Sequence, residues 1–303
     1  MSDSALVTRG LAKRYRDQWA LKSCSVDVPV GCIAALVGPN GAGKTTLLQL
    51  AAGLIRPTSG EVNVLGSAPY QDPSWLAQVG FLAQEVPLYR RLTGDQLLGM
   101  GAHLNPSWKE AVARDRLESL GIALDKNVSQ LSGGERAQIG LAITLGKQPR
   151  ILLLDEPVAS LDPLARRDFL SSLTEAQFET ELTVVLSSHL VADIERVCDY
   201  LVLLSHSQVQ LAGRIDELLA AHRWVVGPRQ TTEGGLAQHE IINESHTERQ
   251  STLMVRLNGP IHDPRWEVAD VGLEELVLAY MGRKRVDEMA SNQRRLSIVE
   301  DRP

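Results

Sequence analysis

The sequence has no apolar run long enough to cross a lipid bilayer. Its longest runs, such as Tyr200 to Leu204 and Ile151 to Leu154, fall far short of the ~20 residues that a transmembrane helix needs. The chain is therefore expected not to span a membrane. Its start, Met1-Ser2-Asp3-Ser4, has neither the basic residues nor the apolar core of an export signal, and a cytoplasmic location is the expectation. Cysteine is scarce. Cys24, Cys32 and Cys198 are the three, too few and too scattered for a disulfide framework or a Cys-x-x-Cys metal site, which suits a reducing compartment. Positive charge is not in excess: the net charge of −6 argues against a broad phosphate-backbone footprint, and so against nucleic acid as the main partner. The clearest basic run, Arg283-Lys284-Arg285 with Arg294-Arg295 nearby, lies in a polar stretch and reads as a solvated tail. No internal repeat occurs.

With 303 residues, 44% of them hydrophobic, the chain can bury a full core and has room for two domains at about 150 residues each. The apolar run Ile33 to Val37 enters Gly38-Pro39-Asn40-Gly41-Ala42-Gly43-Lys44-Thr45, and helix formers follow from Thr45 to Ala52 until Gly53 and Pro57. Strand, glycine-rich phosphate loop and helix follow in succession. Ile151 to Leu154 and Val184 to Leu186 are short, aliphatic and unalternating, as strands of a parallel sheet buried on both faces should be. Leu6 to Val28 reads as short strands around a turn at Arg16-Asp17, forming a smaller antiparallel layer. From Glu85 to Gln130 the pattern is helical, with Ser107 and Glu110 as a capping box ahead of Ala113, Leu117 and Leu120, and Gly121 as the stop. Beyond Ala221, Leu253, Val255 and Leu257 alternate while Leu273, Leu276, Val277, Tyr280 and Met281 repeat at helical spacing, which predicts a small accessory α/β domain.

The phosphate loop alone matches G-x-x-x-x-G-K-[ST], which arises by accident in roughly one chain per hundred of this length. Two further motifs follow it: Leu131-Ser132-Gly133-Gly134-Glu135, and the acidic strand end Ile151-Leu152-Leu153-Leu154-Asp155-Glu156. With these in order, the chain resembles the ATP-binding subunits of ABC transporters over about its first two-thirds. The resemblance implies an α/β fold: a P-loop NTPase core of ABC ATPase type with an N-terminal antiparallel β layer and a helical subdomain at about 86–130. The ATP-binding domain is expected at 1–221, the accessory α/β domain at 222–282 and a disordered polar tail at 283–303.

A triphosphate concentrates negative charge, and a glycine-rich turn at a helix N-terminus answers it with converging backbone N–H groups. Gly38, Pro39, Asn40, Gly41, Ala42 and Gly43 make that turn, Lys44 can reach the β- and γ-phosphates, the Thr45 hydroxyl is placed to ligate Mg²⁺, and Thr46 supports the phosphates. Two adjacent carboxylates at a buried strand end are costly unless a cation and a reacting water use them. By the resemblance, Asp155 holds Mg²⁺ and Glu156 is the base that activates water. His189, in Ser187-Ser188-His189, matches the family's switch histidine, and Gln84 its glutamine that senses Mg²⁺ and water. Tyr15 matches the aromatic that stacks on adenine; a packed surface tyrosine is the alternative, and Trp19 the weaker stacking candidate. By the resemblance, Ser132, Gly133, Gly134 and Glu135 contact the nucleotide of an opposite subunit, and Asp162 of the matching Ser160-Leu161-Asp162 turn belongs to the nucleotide site. Ala137, Leu141 and Leu145 form the buried stripe of the helix that Ser132 starts. Glu135 stands where the family more often has glutamine, and adds a carboxylate near that nucleotide.

The implied protein is an ATPase using ATP and Mg²⁺, peripheral on the inner face of the membrane. It would form a homodimer through its ATP sites, with a heterodimer as the alternative, and power an integral membrane permease. Leu273 to Met281, Asn105-Pro106-Ser107-Trp108 and the turn from Val158 to Arg167 resemble the drug and antibiotic exporter branch, so export is expected, with import as the first alternative. A soluble ABC ATPase of translation or DNA repair usually joins two nucleotide domains or carries a long insertion, and neither is present. A non-hydrolysing ATP-gated module would not need Glu156 and His189.

Overall fold

A computed structural model describes residues 4–69, 73–229 and 236–283, and the chain divides into two compact units, Met1–Ile215 and Asp216–Pro303. The tail expected to be disordered lies outside the described residues, apart from Arg283. Cys24, Cys32 and Cys198 are free thiols.

In the first unit, β1 (Ser4–Tyr15) and β2 (Gln18–Pro29) pair antiparallel across a turn at Arg16-Asp17. They are not the short strands that the alternation suggests: each runs for 12 residues. The alternation is broken because the β1–β2 register slips repeatedly, including between Thr8 and Leu11, where Gly10 takes a φ of +55°. A bulge places two residues opposite one and so interrupts the period of two. After β3 (Ile33–Val37) and α1 (Lys44–Ala51), β4 (Ser59–Val64) adds to β1, giving the order β2-β1-β4. The inward residues Leu6, Leu11, Leu21, Val26 and Val64 share one core with Leu47, Leu48 and Leu50 of α1.

Five strands, β5 (Val79–Leu82), β6 (Ile151–Leu154), β7 (Thr183–Ser188), β3 and β8 (Tyr200–Ser205), run parallel, and β9 (Gln208–Arg214) closes the sheet antiparallel to β8. Every residue of β3, β6 and β7 is buried, which explains their unalternating apolar character. Ala34, Leu36, Leu153 and Val185 face α1 and the antiparallel layer. Ile33, Leu152, Leu154, Val184 and Leu186 face the opposite core. The carboxyl ends of β3, β6 and β7 consequently open at one edge.

Between β5 and β6 lie α2 (Gly94–Leu104), α3 (Glu110–Ser119) and α4 (Gly133–Gly146). Thr93 and Gln96 form a capping box on α2. The box expected from Ser107 and Glu110 does not form: the N-cap of α3 is Lys109, without a side-chain cap. A non-local contact sets that start, because the Lys109 N–H donates to Gly146 O at 2.8 Å. Trp108 meanwhile packs so closely on α2 and α4 that a Cβ at Gly101 or Gly146 would come within 2.6 or 2.8 Å of its ring. Glu110 instead accepts from Arg114 at 2.9 Å. Gly121, at φ +67°, follows the end of α3 in the left-handed conformation that suits a helix stop. Ala137, Leu141 and Leu145 of α4 are buried against the sheet as expected, but Ile139 and Ala142 are buried too, in the core of the helical part. One helix therefore belongs to two cores. Its C-terminal side leads to β6, and α5 (Pro163–Thr180) and α6 (Val191–Val197) follow β6 and β7.

The second unit begins earlier than Ala221 because α7 (Ile215–Ala220) lies almost wholly within it. Its strands β10 (His222–Pro228), β11 (Glu240–His246), β12 (Gln250–Arg256) and β13 (Glu267–Asp270) form an antiparallel sheet in the order β11-β12-β10-β13. Val225, Leu253 and Val255 pack with Leu236, Leu257, Ile261 and Trp266 on one face. His222, three residues before Val225 and so on the opposite face of β10, is fully buried. Its Nδ1 lies 2.6 Å from Leu218 O and its Nε2 2.9 Å from the Tyr280 hydroxyl of α8 (Leu273–Gly282). That pairing suits a neutral ring, Nδ1–H donating and Nε2 accepting.

Burial pulls the His222 pKa below its ordinary value of 6.5, and burial does the same to His239. The unfolded chain therefore takes up these protons first as pH falls, so the stabilisation is complete above about pH 6.5 and is lost below it. Hydrogen exchange in β10 and α8, corrected for intrinsic rate, should be faster at pH 5.5 than at pH 7.5, and His222→Gln should flatten that difference. Equal protection at the two pH values would contradict the assignment.

Candidate functional site

The chain leaves β3 at Val37 and turns through Gly38 to Gly43 before α1 begins. Gly43 is the N-cap of α1 at φ +108°, and a Cβ there would meet Ala20 O at 2.4 Å, so no side chain can replace its hydrogen without moving backbone. Gly41, at φ +80°, has open space where a Cβ would be, leaving the loop's backbone approachable. Gly38, Pro39 and Ala42 shape the turn from below: Ala42 is buried and its N–H donates to Pro39 O at 3.1 Å. Lys44 is 5% exposed and folds back over the loop, its Nζ donating to Gly38 O at 2.8 Å and Pro39 O at 3.3 Å.

The facing wall comes from β6 and β7. Glu156 holds Oε1 3.4 Å from Lys44 Nζ and Oε2 3.2 Å from His189 Nδ1. Its backbone sits at φ +44°, in the left-handed region where a residue with a Cβ is strained. Asp155 is 3% exposed, its N–H donates to Leu82 O at 2.9 Å, and its Oδ1 accepts from Ser187 Oγ at 2.9 Å. The same Ser187 Oγ accepts the Glu156 N–H at 2.7 Å.

Between these walls lies a cleft of about 820 Å³, lined by Tyr15, Asn40, Gly41, Gly43, Lys44, Thr45, Thr46, Gln84, Glu156 and His189, with Ala20 and Ala159. That volume is within the range of small-molecule sites, roughly 300–1,000 Å³. Tyr15 is half exposed at its mouth, with Lys13 Nζ 5.2 Å from the ring centroid. Trp19 is held by Arg14 at 5.5 Å and does not line the cleft. The Thr45 hydroxyl and the Gln84 amide line the cleft and are oxygen donors of the kind that a hard cation such as Mg²⁺ takes up alongside phosphate, whereas Asp155, the expected metal-facing carboxylate, is buried and does not line it. Among the described residues no three His, Cys, Asp or Glu side chains converge as a protein-only cage. A wider cleft of about 940 Å³ opens at the opposite ends of β3, β6 and β7. It mixes Lys109, Arg116 and Arg150 with Glu179 and Glu181, contains no phosphate loop, and so is a poorer candidate for a triphosphate.

Ser132, Gly133, Gly134, Glu135 and Asp162 do not line the 820 Å³ cleft. Ser132 and Gly133 are exposed at the start of α4, where four backbone N–H groups lack helical partners and carry partial positive charge. Glu135 is turned inward on its own helix: its Oε2 accepts the Ser132 N–H at 2.7 Å while its N–H donates to Ser132 Oγ at 3.1 Å. Hydrogen bonds to the carboxylate from the Ser132 backbone and then its side chain hold the Glu135 pKa below its ordinary value. Gly134 lets α5 approach, since a Cβ there would meet Ala165 Cβ at 2.8 Å. Asp162 caps α5, accepting from the N–H groups of Leu164 and Ala165, each at 3.0 Å. Sequence reasoning missed Ser187, whose one signal was a polar residue at the end of the apolar strand β7.

Among the described residues no helix is long and apolar enough to cross a membrane. The ABC transporter family model matches residues 21–159. The thiamine import ATP-binding protein ThiQ of Vibrio cholerae is 37% identical over 219 residues, 69% of this chain and 89% of that protein. The sulfate/thiosulfate import ATP-binding protein CysA of Thermosynechococcus vestitus is 30% identical over 318 aligned positions, covering 94% of this chain and 92% of its own length. Among solved structures, the ATP-binding subunit of an ABC transporter superposes with a TM-score of 0.64 at 27% identity over 72% of this chain and 92% of that one. An ATP-binding cassette captured as a dimer after hydrolysis, with ADP and phosphate, shares the fold at a TM-score of 0.62 and 23% identity, over 69% of this chain and 98% of that one. Sheet order, phosphate loop and relatives agree: the chain belongs to the ABC transporter family, as one of its ATP-binding, ATP-hydrolysing subunits.

Proposed function

We propose that this ATPase dimerises on Mg-ATP and drives conformational change in a separate membrane permease. The observation that carries the reading is the chain of contacts from Lys44 through Glu156 to His189 at the end of a phosphate loop. In this reading the loop's N–H groups cradle the phosphates and Lys44 exchanges the Gly38 and Pro39 carbonyls for phosphate oxygens. Thr45, Gln84 and Asp155 would hold Mg²⁺, which when bound neutralises charge that grows during transfer. Glu156 accepts the proton of the attacking water, and His189 orients the Glu156 carboxylate and contacts the terminal phosphate. Tyr15 stacks on the base.

The exposed start of α4 supports a dimer, because Ser132 and Gly133 offer an anion site that the chain's own cleft does not use. A second copy, head to tail, would bring that helix end to the nucleotide, and dimerisation as such has a precedent in the structural relative captured as a dimer with ADP and phosphate. Both halves of the composite site are on one chain, which favours a homodimer over a pair of unlike ATPases. Glu135, engaged with Ser132, would face that nucleotide less directly than its sequence position suggests. We assign the first unit, expected at 1–221 but ending at Ile215, to ATP work and the second, from Asp216, to an accessory role, and the whole subunit to the inner face of the membrane beside its permease.

For direction, the relatives named above support import rather than the export suggested by the drug-exporter resemblance: both are import ATPases, and one aligns over nearly the whole chain. An importer's permease works with an external binding protein, and that is the partner to seek.

Lys44→Ala should weaken ATP binding by about a hundredfold or more, since it removes the cation nearest the phosphates; retained affinity would show that the nucleotide sits elsewhere. Glu156→Gln should bind ATP within a few-fold of the parent yet turn over roughly a hundredfold slower, and near-normal turnover would remove its role as base. Glu156→Gln chains recovered with Mg-ATP from detergent-solubilised host membranes should carry a multi-span permease, identified by mass spectrometry. Recovery of only ribosomes, nucleic acid or soluble proteins would overturn the transport reading.

A further inference from the structure

We infer that Ser187 is a positioning residue for both carboxylates of the site: its hydroxyl sets the orientation of Asp155 and fixes the backbone from which Glu156 projects. The inference rests on the reading of Asp155 as metal-facing and Glu156 as base. Ser187 lies in β7, opposite Leu36 in the β3 pairing, and is 0% exposed. A hydroxyl there is costly unless its hydrogen-bonding capacity is used, and it is used twice. Its hydrogen goes to Asp155 Oδ1 at 2.9 Å and its oxygen accepts the Glu156 N–H at 2.7 Å. A serine hydroxyl can donate once and accept at the same time, so one atom bridges two consecutive residues of another strand end.

The bridge matters because of the conformation it holds. Glu156 is at φ +44°, and strained backbone persists only where the surroundings over-determine it. With the Glu156 N–H fixed on Ser187, the side chain leaves the backbone toward Lys44, 3.4 Å away, and His189, 3.2 Å away. The adjacent Ser188 has a separate task, its Oγ accepting the Leu190 N–H at 3.1 Å as the chain leaves the strand past His189. The hydroxyl of Ser187 is thus directed at the carboxylates and that of Ser188 at the turn.

Three substitutions test this. Ser187→Ala removes the hydroxyl with little change in volume, while Ser187→Thr and Ser187→Val add the same bulk with and without a hydroxyl. Ser187→Ala should lower kcat about tenfold or more, as misplacing reacting groups by a fraction of an ångström does, with KM for Mg-ATP rising only by about the few-fold loss of affinity. Ser187→Thr should exceed Ser187→Val in kcat by about fivefold or more, because only threonine can rebuild the bridge. In the Glu156→Gln background, Ser187→Ala should lower kcat by less than about twofold, since residues acting through one another are not additive. Calorimetric ATP affinity supplies a readout apart from turnover: Ser187→Ala should weaken binding about threefold or more with Mg²⁺ and leave it unchanged in EDTA, the metal-facing carboxylate being the group displaced. Equal kcat for the threonine and valine variants, Ser187→Ala turnover within about twofold of the parent, or equal affinity loss with and without Mg²⁺ would each overturn the inference. Normal turnover by Glu156→Gln would instead defeat the base reading, while the Mg²⁺ comparison would still report on Ser187 and Asp155.

Discussion

A buried ammonium group organises this molecule's first unit. Lys44 is 5% exposed, and its charge is held between two loop carbonyls and the carboxylate of Glu156. Such a charge is tolerable in a protein interior only while its partners stay in place; removing one leaves charge uncompensated at a cost of about 3–5 kcal/mol. Those partners come from β3 and β6, so the charge can exist only where strand ends far apart in sequence open at one edge. The apolar sheet between two packed layers supplies that rigidity.

Rigidity beneath the cleft comes from shared elements. The helix after Ser132 contributes Ala137 and Leu141 to the sheet's core and Ile139 and Ala142 to the helical part's core. Movement of either part would therefore be felt at Ser132, whose capping box with Glu135 holds the first turn. The contact of Gly134 with Ala165 ties the same helix start to the segment that Asp162 caps. In the proposed dimer, an exposed helix end locked to two cores would be suited to carrying force from a nucleotide on the second copy into the helical part. Polar contacts fix directions and apolar layers fix distances; the site uses both.

The features legible before folding were those whose chemistry is local. A phosphate loop needs glycines at particular steps and a lysine directly after them, so Gly41, Gly43 and Lys44 declare themselves by spacing. Asp155 and Glu156 stand out because two carboxylates following four aliphatic residues are improbable without a cation. His189 was legible only through the family resemblance, by its place after an apolar strand. The cap of α3 was misread for the opposite reason: Ser107 and Glu110 have the right spacing, but the Lys109 N–H finds Gly146, and a distant carbonyl outweighs a local pattern. The long strands β1 and β2 were hidden by bulges, which erase the alternation by which strands are recognised.

Sequence alone determined the family, the parallel core and the residue types proposed to meet a triphosphate, because these follow from short spacings and from hydrophobic period. Tertiary structure alone decided that Lys44 shares a carboxylate with His189, that Glu135 turns onto Ser132, and that a serine from β7 joins Asp155 to Glu156. Each of these depends on the height at which one strand or helix ends beside another. Hydrogen bonds act over about 3 Å, and no pattern along a single segment encodes the distance between two segments to that tolerance.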